Sequence, residues 1–368
     1  MPIIELTDHC NLKCPVCLVK NRNSTHLAFA EFVRIMDTLE RCEGTLNLVN
    51  LSGGEPLLHP EIERIAEHLA SRQVVMSSIS TNGLQLLKRP ELVPFFRDLG
   101  IVISLQMDGF LPDTSCALRG IDLAASKRRV IDLLLEQQAP FSLTVTLVKG
   151  YNETEIPAIL DLFFKADNAL SLMIQPCSYT GSGGGAFAHD PLDIITIPDV
   201  AKLLAASSQG VLESSDFLPL PCSHPSCFAL TYLLKLADGA LTPVSRLFDL
   251  DDYLDVIKNN ALLGMGEDNL NRVKDSIYRL WTASGMIPNQ DAVLQAVRNI
   301  LTSLNDNNGG LSAKSFMSVT EKHIKSIFIH HFMDAHTFDL ARAVKCCQQY
   351  PQADGRLLPV CVFNNLMR

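Results

Sequence analysis

Ile3-Ile-Glu-Leu-Thr-Asp-His-Cys-Asn-Leu-Lys-Cys-Pro-Val-Cys17 begins as an apolar, β-branched run and ends in three thiols spaced C-x3-C-x2-C. A short strand that empties into a cysteine loop opens a repeating pattern of strands and helices. Five more strand-like runs succeed it, at Leu46–Leu51, Val74–Ser80, Ile101–Met107, Phe141–Val148 and Leu170–Gln175. Helical stretches lie between them, at Leu27–Arg41, Pro60–Arg72, Pro90–Leu99, Ala124–Gln138 and Glu153–Ala166. Strands alternating with helices predict a parallel sheet with right-handed crossovers. An eight-fold barrel takes about 250 residues, so a six-strand α/β partial barrel, (β/α)6 and TIM-like, fits the span better. Ligands of such folds sit at the carboxyl ends of the strands.

The pattern changes after the sixth strand. Gly181-Ser-Gly-Gly-Gly185 reads as a loop, Asp251 to Leu304 as mostly helical, and Asn305-Asp-Asn-Asn-Gly-Gly310 as a break. The expected organisation is a core over 1–185 and a mostly helical C-terminal extension over 186–368. The 368 residues are 47% apolar and 19% charged, which excludes a disordered chain. A net charge of −9 argues against a general nucleic-acid binder. No apolar run reaches the roughly 18 residues of a membrane span, and the N-terminus has no signal-peptide pattern. A soluble, cytoplasmic protein is expected. The mean hydropathy of +0.16 hints at an apolar substrate or peripheral membrane contact.

Eleven cysteines in a reducing compartment are not a disulfide set. Cys10, Cys14 and Cys17 can converge on one face of a cubane cluster and leave its fourth iron open to a small chelating ligand. A redox pair at Cys14 and Cys17 and a structural zinc site are the alternatives. The first leaves Cys10 unused, and the second lacks a fourth ligand nearby. After the second strand comes Ser52-Gly-Gly-Glu-Pro56, after the third Ser80-Thr-Asn-Gly83, and the fourth ends Gln106-Met-Asp-Gly109. With the triad, these motifs resemble the radical S-adenosylmethionine (radical SAM) superfamily over about residues 1–180.

The resemblance implies a partial (β/α)6 barrel and a [4Fe–4S] cluster on Cys10, Cys14 and Cys17. It implies S-adenosylmethionine chelated at the open iron and cleaved by one electron to a 5′-deoxyadenosyl radical. An electron donor such as a flavodoxin or ferredoxin would supply that electron. Gly53 and Gly54 would let backbone approach the ligand, and Glu55 would accept from its ammonium. Ser80, Asn82, Gln106 and Asp108 stand at strand carboxyl ends, where they would meet a ribose or carboxylate, though each is also a common turn-capping residue. Thr144, Thr146 and Gln175 are candidates to point into the barrel. No catalytic side chain is assigned.

A second thiol set lies in Pro221-Cys-Ser-His-Pro-Ser-Cys227 and at Cys346, Cys347 and Cys361. The preferred ligands of an auxiliary site, a [4Fe–4S] cluster or zinc, are Cys222, Cys227, Cys361 and Cys347, with Cys346 as the alternative to Cys347. Buried inert cysteines are the bland alternative. With His331-Phe-Met-Asp-Ala-His-Thr-Phe-Asp and Asp354-Gly-Arg356, this half is similar to the branch holding tetraether lipid synthase and the class D pterin methyltransferases. That likeness implies methylation, alkylation or C–C coupling at an unactivated carbon of a lipid or small molecule. Relatives there carry a further cysteine-rich segment ahead of the triad, and the expectation is that it is absent here. His330, His331, His336, Asp334 and Asp339 are weighed as an acid–base cluster and assigned a structural or solvated role. A peptide-modifying radical SAM maturase and a zinc-bound scaffold remain as other readings.

Overall fold

The computed structural model describes residues 1–19, 24–180, 187, 190–247, 254, 290–306 and 321–368. The glycine loop at 181–185 and most of the tract at 251–304 lie outside them. The sheet is built on β1 (Ile3–Thr7), β2 (Leu46–Gly53), β3 (Val74–Thr81), β4 (Ile101–Gln106), β5 (Phe141–Leu147) and β6 (Ala169–Pro176). These six pair in chain order, all parallel. The crossovers are helical: α1 (Phe29–Glu43), α2 (Ile62–Ala70), α3 (Leu84–Lys88), α4 (Leu92–Asp98), α5 (Pro112–Arg119), α6 (Ala124–Glu136) and α7 (Ile156–Lys165). The result is the (β/α)6 arrangement expected.

Period-two alternation divides each strand between two environments. On β5, Phe141, Leu143, Val145 and Leu147 are buried in the main apolar core, while Ser142, Thr144 and Thr146 line the inner cavity. On β3, Met76, Ser78 and Ser80 face that cavity. The helices match the outer face. Ile156, Ile159, Leu160 and Phe163 of α7 are buried at the i, i+3, i+4, i+7 spacing of one helical stripe. The barrel therefore keeps its grease between sheet and helices and presents hydroxyls to its interior.

Beyond β6 the chain contributes α8 (Ile197–Ser207), whose Thr196 and Asp199 form a capping box. It also contributes strands β7 (Leu218–Pro219), β8 (Phe228–Lys235), β9 (Leu241–Pro243) and β10 (Ile324–His330), and the helix α9 (Gln290–Asp306). β10 pairs parallel to β6 and antiparallel to β8, so one ten-stranded sheet runs β1-β2-β3-β4-β5-β6-β10-β8-β7, with β9 on β8. The sheet thus continues across the expected boundary at 185/186. This half is helical in part, and strands that helical patterning did not foresee carry the sheet onward. A hairpin of β11 (Gln349–Pro351) and β12 (Leu357–Pro359) stands against β1 through a Pro2–Gln349 bridge. Among the described residues, no helix is long and apolar enough to cross a membrane.

Candidate active site

Gly53 has φ +134°, and a Cβ on it would stand 2.2 Å from the Thr7 carbonyl oxygen. A Cβ on Gly54 would stand 2.3 Å from the carbonyl of His9. Backbone takes the vacated space: Gly54 N–H donates to Thr7 O at 2.7 Å and Glu55 N–H to His9 O at 2.8 Å. The two glycines therefore clamp the segment leading into Cys10. Their first service is to the cysteine loop rather than to a ligand, and it sets that loop on the same rim as the glycine turn.

Glu55 is held by its own neighbours. It is fully buried, and its carboxylate accepts from Leu57 N–H (3.1 Å), Thr81 Oγ1 (2.7 Å) and Asn82 N–H (2.8 Å). Burial pushes its pKa up while these donors pull it down. A carboxylate so engaged braces the strand ends. Asn82 is likewise internal, its amide donating to Asn11 Oδ1 at 2.7 Å and its Oδ1 accepting from Leu84 N–H. Asn82 thereby ties the start of α3 to the cysteine loop.

Asp108 is buried in a two-pronged pair with Arg119, at 2.6 and 2.8 Å, and also accepts from Thr146 N–H and Gln106 Nε2. It too is fully engaged, and the charge it presents onward is that of Arg119. Arg119 reaches Cys14, lowering a thiol pKa that burial raises. Burial alone would lower the Arg119 pKa, but Asp108 more than offsets it and locks the guanidinium charged. Lys127 is buried beneath, donating to Asn82 O, Gln106 O and Gln106 Oε1 at 2.7, 2.5 and 2.8 Å. Burial lowers its pKa to about 7, against the pull of Asp108. Sequence reasoning missed both cations. The signal for α5 was present, a proline at its first turn (Pro112) and Gly120 past its end.

Ser80 and Gln106 sit where expected, on the wall of a cavity of about 460 Å³ that also takes in Thr144, Thr146 and Gln175. Asn50 bridges Ser78 and Ser80 on that wall. Cys17 and Gly53 line it on the triad side, and Cys227, Cys346, Cys347 and Cys361 line it too. The two thiol sets, far apart in sequence, thus share one chamber.

Sulfurs of both sets already accept N–H donors. Leu12 N–H points to Cys10 Sγ (3.4 Å), Met333 N–H to Cys361 Sγ (3.3 Å) and Arg342 Nε to Cys227 Sγ (3.2 Å). Such donors favour the thiolate that a metal requires. Within the second set Cys346 and Cys347 have different surroundings. Cys347 Sγ donates toward Cys222 Sγ at 3.4 Å and lies 3.2 Å from the Cys222 carbonyl oxygen. Their mutual bond lowers Cys222 to about 7 and raises Cys347. Cys346 instead lies within electrostatic reach of Cys227, and Cys361 within reach of both. Adjacent side chains diverge, and of the two only Cys346 is named among the charges that act on Cys361. Among the described residues, no three His, Cys, Asp or Glu side chains are gathered for a single metal ion. Cubane ligands bind separate irons and do not need that convergence.

The histidines separate into two groups. His330 and His331 are buried on the cavity wall, where burial lowers their pKa values to about 3 and 4 and keeps both neutral. Asp334 is structural, accepting from the Tyr179, His336 and Thr337 N–H groups, and Asp339 caps α10 (Leu340–Val344). No acid–base cluster forms from the five, in keeping with the structural role expected.

Residues 4–163 match the model of the radical SAM superfamily. The 7,8-dihydro-6-hydroxymethylpterin dimethyltransferase of Methanocaldococcus jannaschii is 27% identical over 99% of this chain and 76% of its own length. A GTP 3′,8-cyclase of Alkaliphilus metalliredigens is 28% identical over 43% of this chain and 51% of its own. Among solved structures, Streptococcus suis SuiB shows a TM-score of 0.48 at 18% identity, covering 57% of this chain and 46% of that one. The motif-bearing barrel and the family match cover the same stretch: residues 4–163 form a radical SAM domain.

Proposed function

We propose that the chain methylates or otherwise alkylates an unactivated carbon of a small heterocycle of the pterin class. The observation that carries this reading is the chamber of about 460 Å³ shared by both thiol sets, a volume typical of small-molecule sites. The near-complete overlap with a pterin dimethyltransferase supports the substrate class. A lipid substrate, the other expectation, suits the mostly apolar lining of the chamber but lacks the support of the near-full-length relative.

Superfamily membership implies a [4Fe–4S] cluster and S-adenosylmethionine. The residues suit them: three thiols leave one loop, an N–H donor and a guanidinium meet two of the sulfurs, and glycine backbone holds the loop in place. Cys10, Cys14 and Cys17 would hold the cluster. Gly53, Gly54, Ser80 and Gln106 would border the S-adenosylmethionine site, with Glu55, Asn82 and Asp108 holding its frame. An auxiliary cluster would sit on the second thiol set. When bound, cluster and S-adenosylmethionine supply a carbon-centred radical through one-electron cleavage driven by an external donor such as a flavodoxin or ferredoxin.

The protein's own share is positional. Arg119 places a fixed positive charge beside Cys14, which favours the ligating thiolate. Asp108 fixes that guanidinium through two hydrogen bonds on the chamber wall. The hydroxyls of Ser104 and Thr144, joined at 3.1 Å, fix a polar point on the wall, and the apolar layer behind it holds the strands in place. Orientation of this kind contributes about 7–11 kcal/mol to a barrier at best.

The test is anaerobic reconstitution with iron and sulfide, then reaction with dithionite, S-adenosylmethionine and 7,8-dihydro-6-hydroxymethylpterin. Expected products are 5′-deoxyadenosine and a pterin heavier by whole methyl increments, both lost in Cys14→Ala. Persistence of 5′-deoxyadenosine in that variant overturns the cluster assignment. An unchanged pterin beside normal cleavage overturns the substrate class.

A further inference from the structure

Five buried side-chain polar atoms lack a hydrogen-bond partner among the described residues, and three belong to side chains on the chamber wall: His330 Nδ1, His331 Nε2 and Gln348 Oε1. All three residues are less than 10% exposed. An unmatched buried donor or acceptor is costly, so three along one wall demand an explanation. Neighbouring groups offer no remedy. Arg342 is committed to Cys227 Sγ, Ser226 O and His331 O, and the His331 N–H to Cys227 O. Water offers none either, because the three atoms have no surface open to it. A partner reaches them only when a side chain turns toward the chamber it lines.

The surroundings define what that partner is. The His330 ring lies 4.1 Å from the Phe332 ring and 5.1 Å from that of Phe228, centre to centre. Both phenyl rings also line the chamber. Aromatic faces beside uncharged nitrogen and amide groups complement a flat ring with hydrogen-bonding atoms along its edge. We propose that His330, His331 and Gln348 form the substrate-reading wall of this enzyme, binding the hydrogen-bonding edge of an uncharged, flat heterocycle while Phe228 and Phe332 contact its ring. The inference rests on the small-heterocycle reading of the chamber and adds the residues that carry specificity.

The test uses full-length reconstituted enzyme and three single variants, His330→Phe, His331→Phe and Gln348→Met, with 7,8-dihydro-6-hydroxymethylpterin as probe. Fluorescence titration reads binding, and ligand-free melting reads stability. An unmatched polar atom replaced by an apolar one of similar shape is neutral or stabilising. Each ligand-free variant should therefore melt at or above the wild-type temperature while binding the pterin at least tenfold more weakly. Wild-type affinity in all three variants overturns the proposal. Lower melting temperatures, or no melting transition, in both phenylalanine variants also overturn it, because they mark the histidines as structural. Wild-type enzyme that cleaves S-adenosylmethionine yet fails to bind the pterin overturns this wall while leaving the radical chemistry intact. Failure of cleavage itself falls on the functional reading instead.

Discussion

Cys346 and Cys347 are neighbours with opposite surroundings. Cys346 shares an electrostatic environment with Cys227 and Cys361, whereas Cys347 is bonded to Cys222. If the second thiol set holds a cluster, the two alanine variants should separate. Cys346→Ala should lower the reconstituted iron from two clusters' worth to one. Cys347→Ala should keep both, and in the intact holoprotein iodoacetamide should label Cys347 while sparing Cys346. Iron analysis and peptide mass mapping check this, and protection of Cys347 with labelling of Cys346 would reverse the assignment. Spacing could not decide between these cysteines, because their neighbours Cys222, Cys227 and Cys361 come from elsewhere in the chain. Glu55 and Asp108 teach a related lesson. Their positions at strand ends were legible, but whether a carboxylate there meets a ligand or a buried donor depends on Thr81, Leu57 and Arg119, which come from other elements.

At the scale of elements, the end of β2 determines where the triad loop stands. Gly53→Ala must resolve a 2.2 Å approach to Thr7 O with a φ that side chains rarely adopt. Overpacking of this kind costs about 1–3 kcal/mol, and the strained dihedral adds a similar amount. Because the clash falls on the backbone leading to Cys10, the variant should lose cluster loading more than it loses secondary structure. Iron content against far-UV circular dichroism separates the two, and a fully loaded Gly53→Ala protein would remove the glycine clamp from the account. The six parallel strands were readable as short apolar runs between helical stretches, and Phe141–Leu147 adds an apolar side and a hydroxyl side in alternating positions. β10 was not readable as a neighbour of β6. Nothing local in Ile324–His330 specifies pairing with residues some 150 positions earlier, and only the shared burial of Ile327 and Ile329 with Leu172 and Ile174 in one core reveals it.

At the scale of the whole molecule, the sheet leaves the six-strand barrel incomplete without its second half. β6 pairs along its length with β10, and Lys325 on β10 donates to Ala166 O and Ala169 O at 2.6 Å each. β8, seven of its eight residues buried, continues the sheet outward. Cutting the chain after residue 180 would strip β6 of that partner, leaving a row of unpaired N–H and C=O groups beside apolar surface, a template for association. The chamber would also lose the wall bearing Phe228, His330 and Cys361. A fragment of residues 1–180 should therefore elute as aggregate on size-exclusion chromatography, while the full chain elutes as a defined species. Co-expression with residues 181–368 should recover soluble material, because the missing β6–β10 ladder can form between two chains. A monodisperse 1–180 fragment that loads one cluster would show instead that the radical SAM core is autonomous. The continuous sheet would then be a contact between domains rather than the framework of a single one.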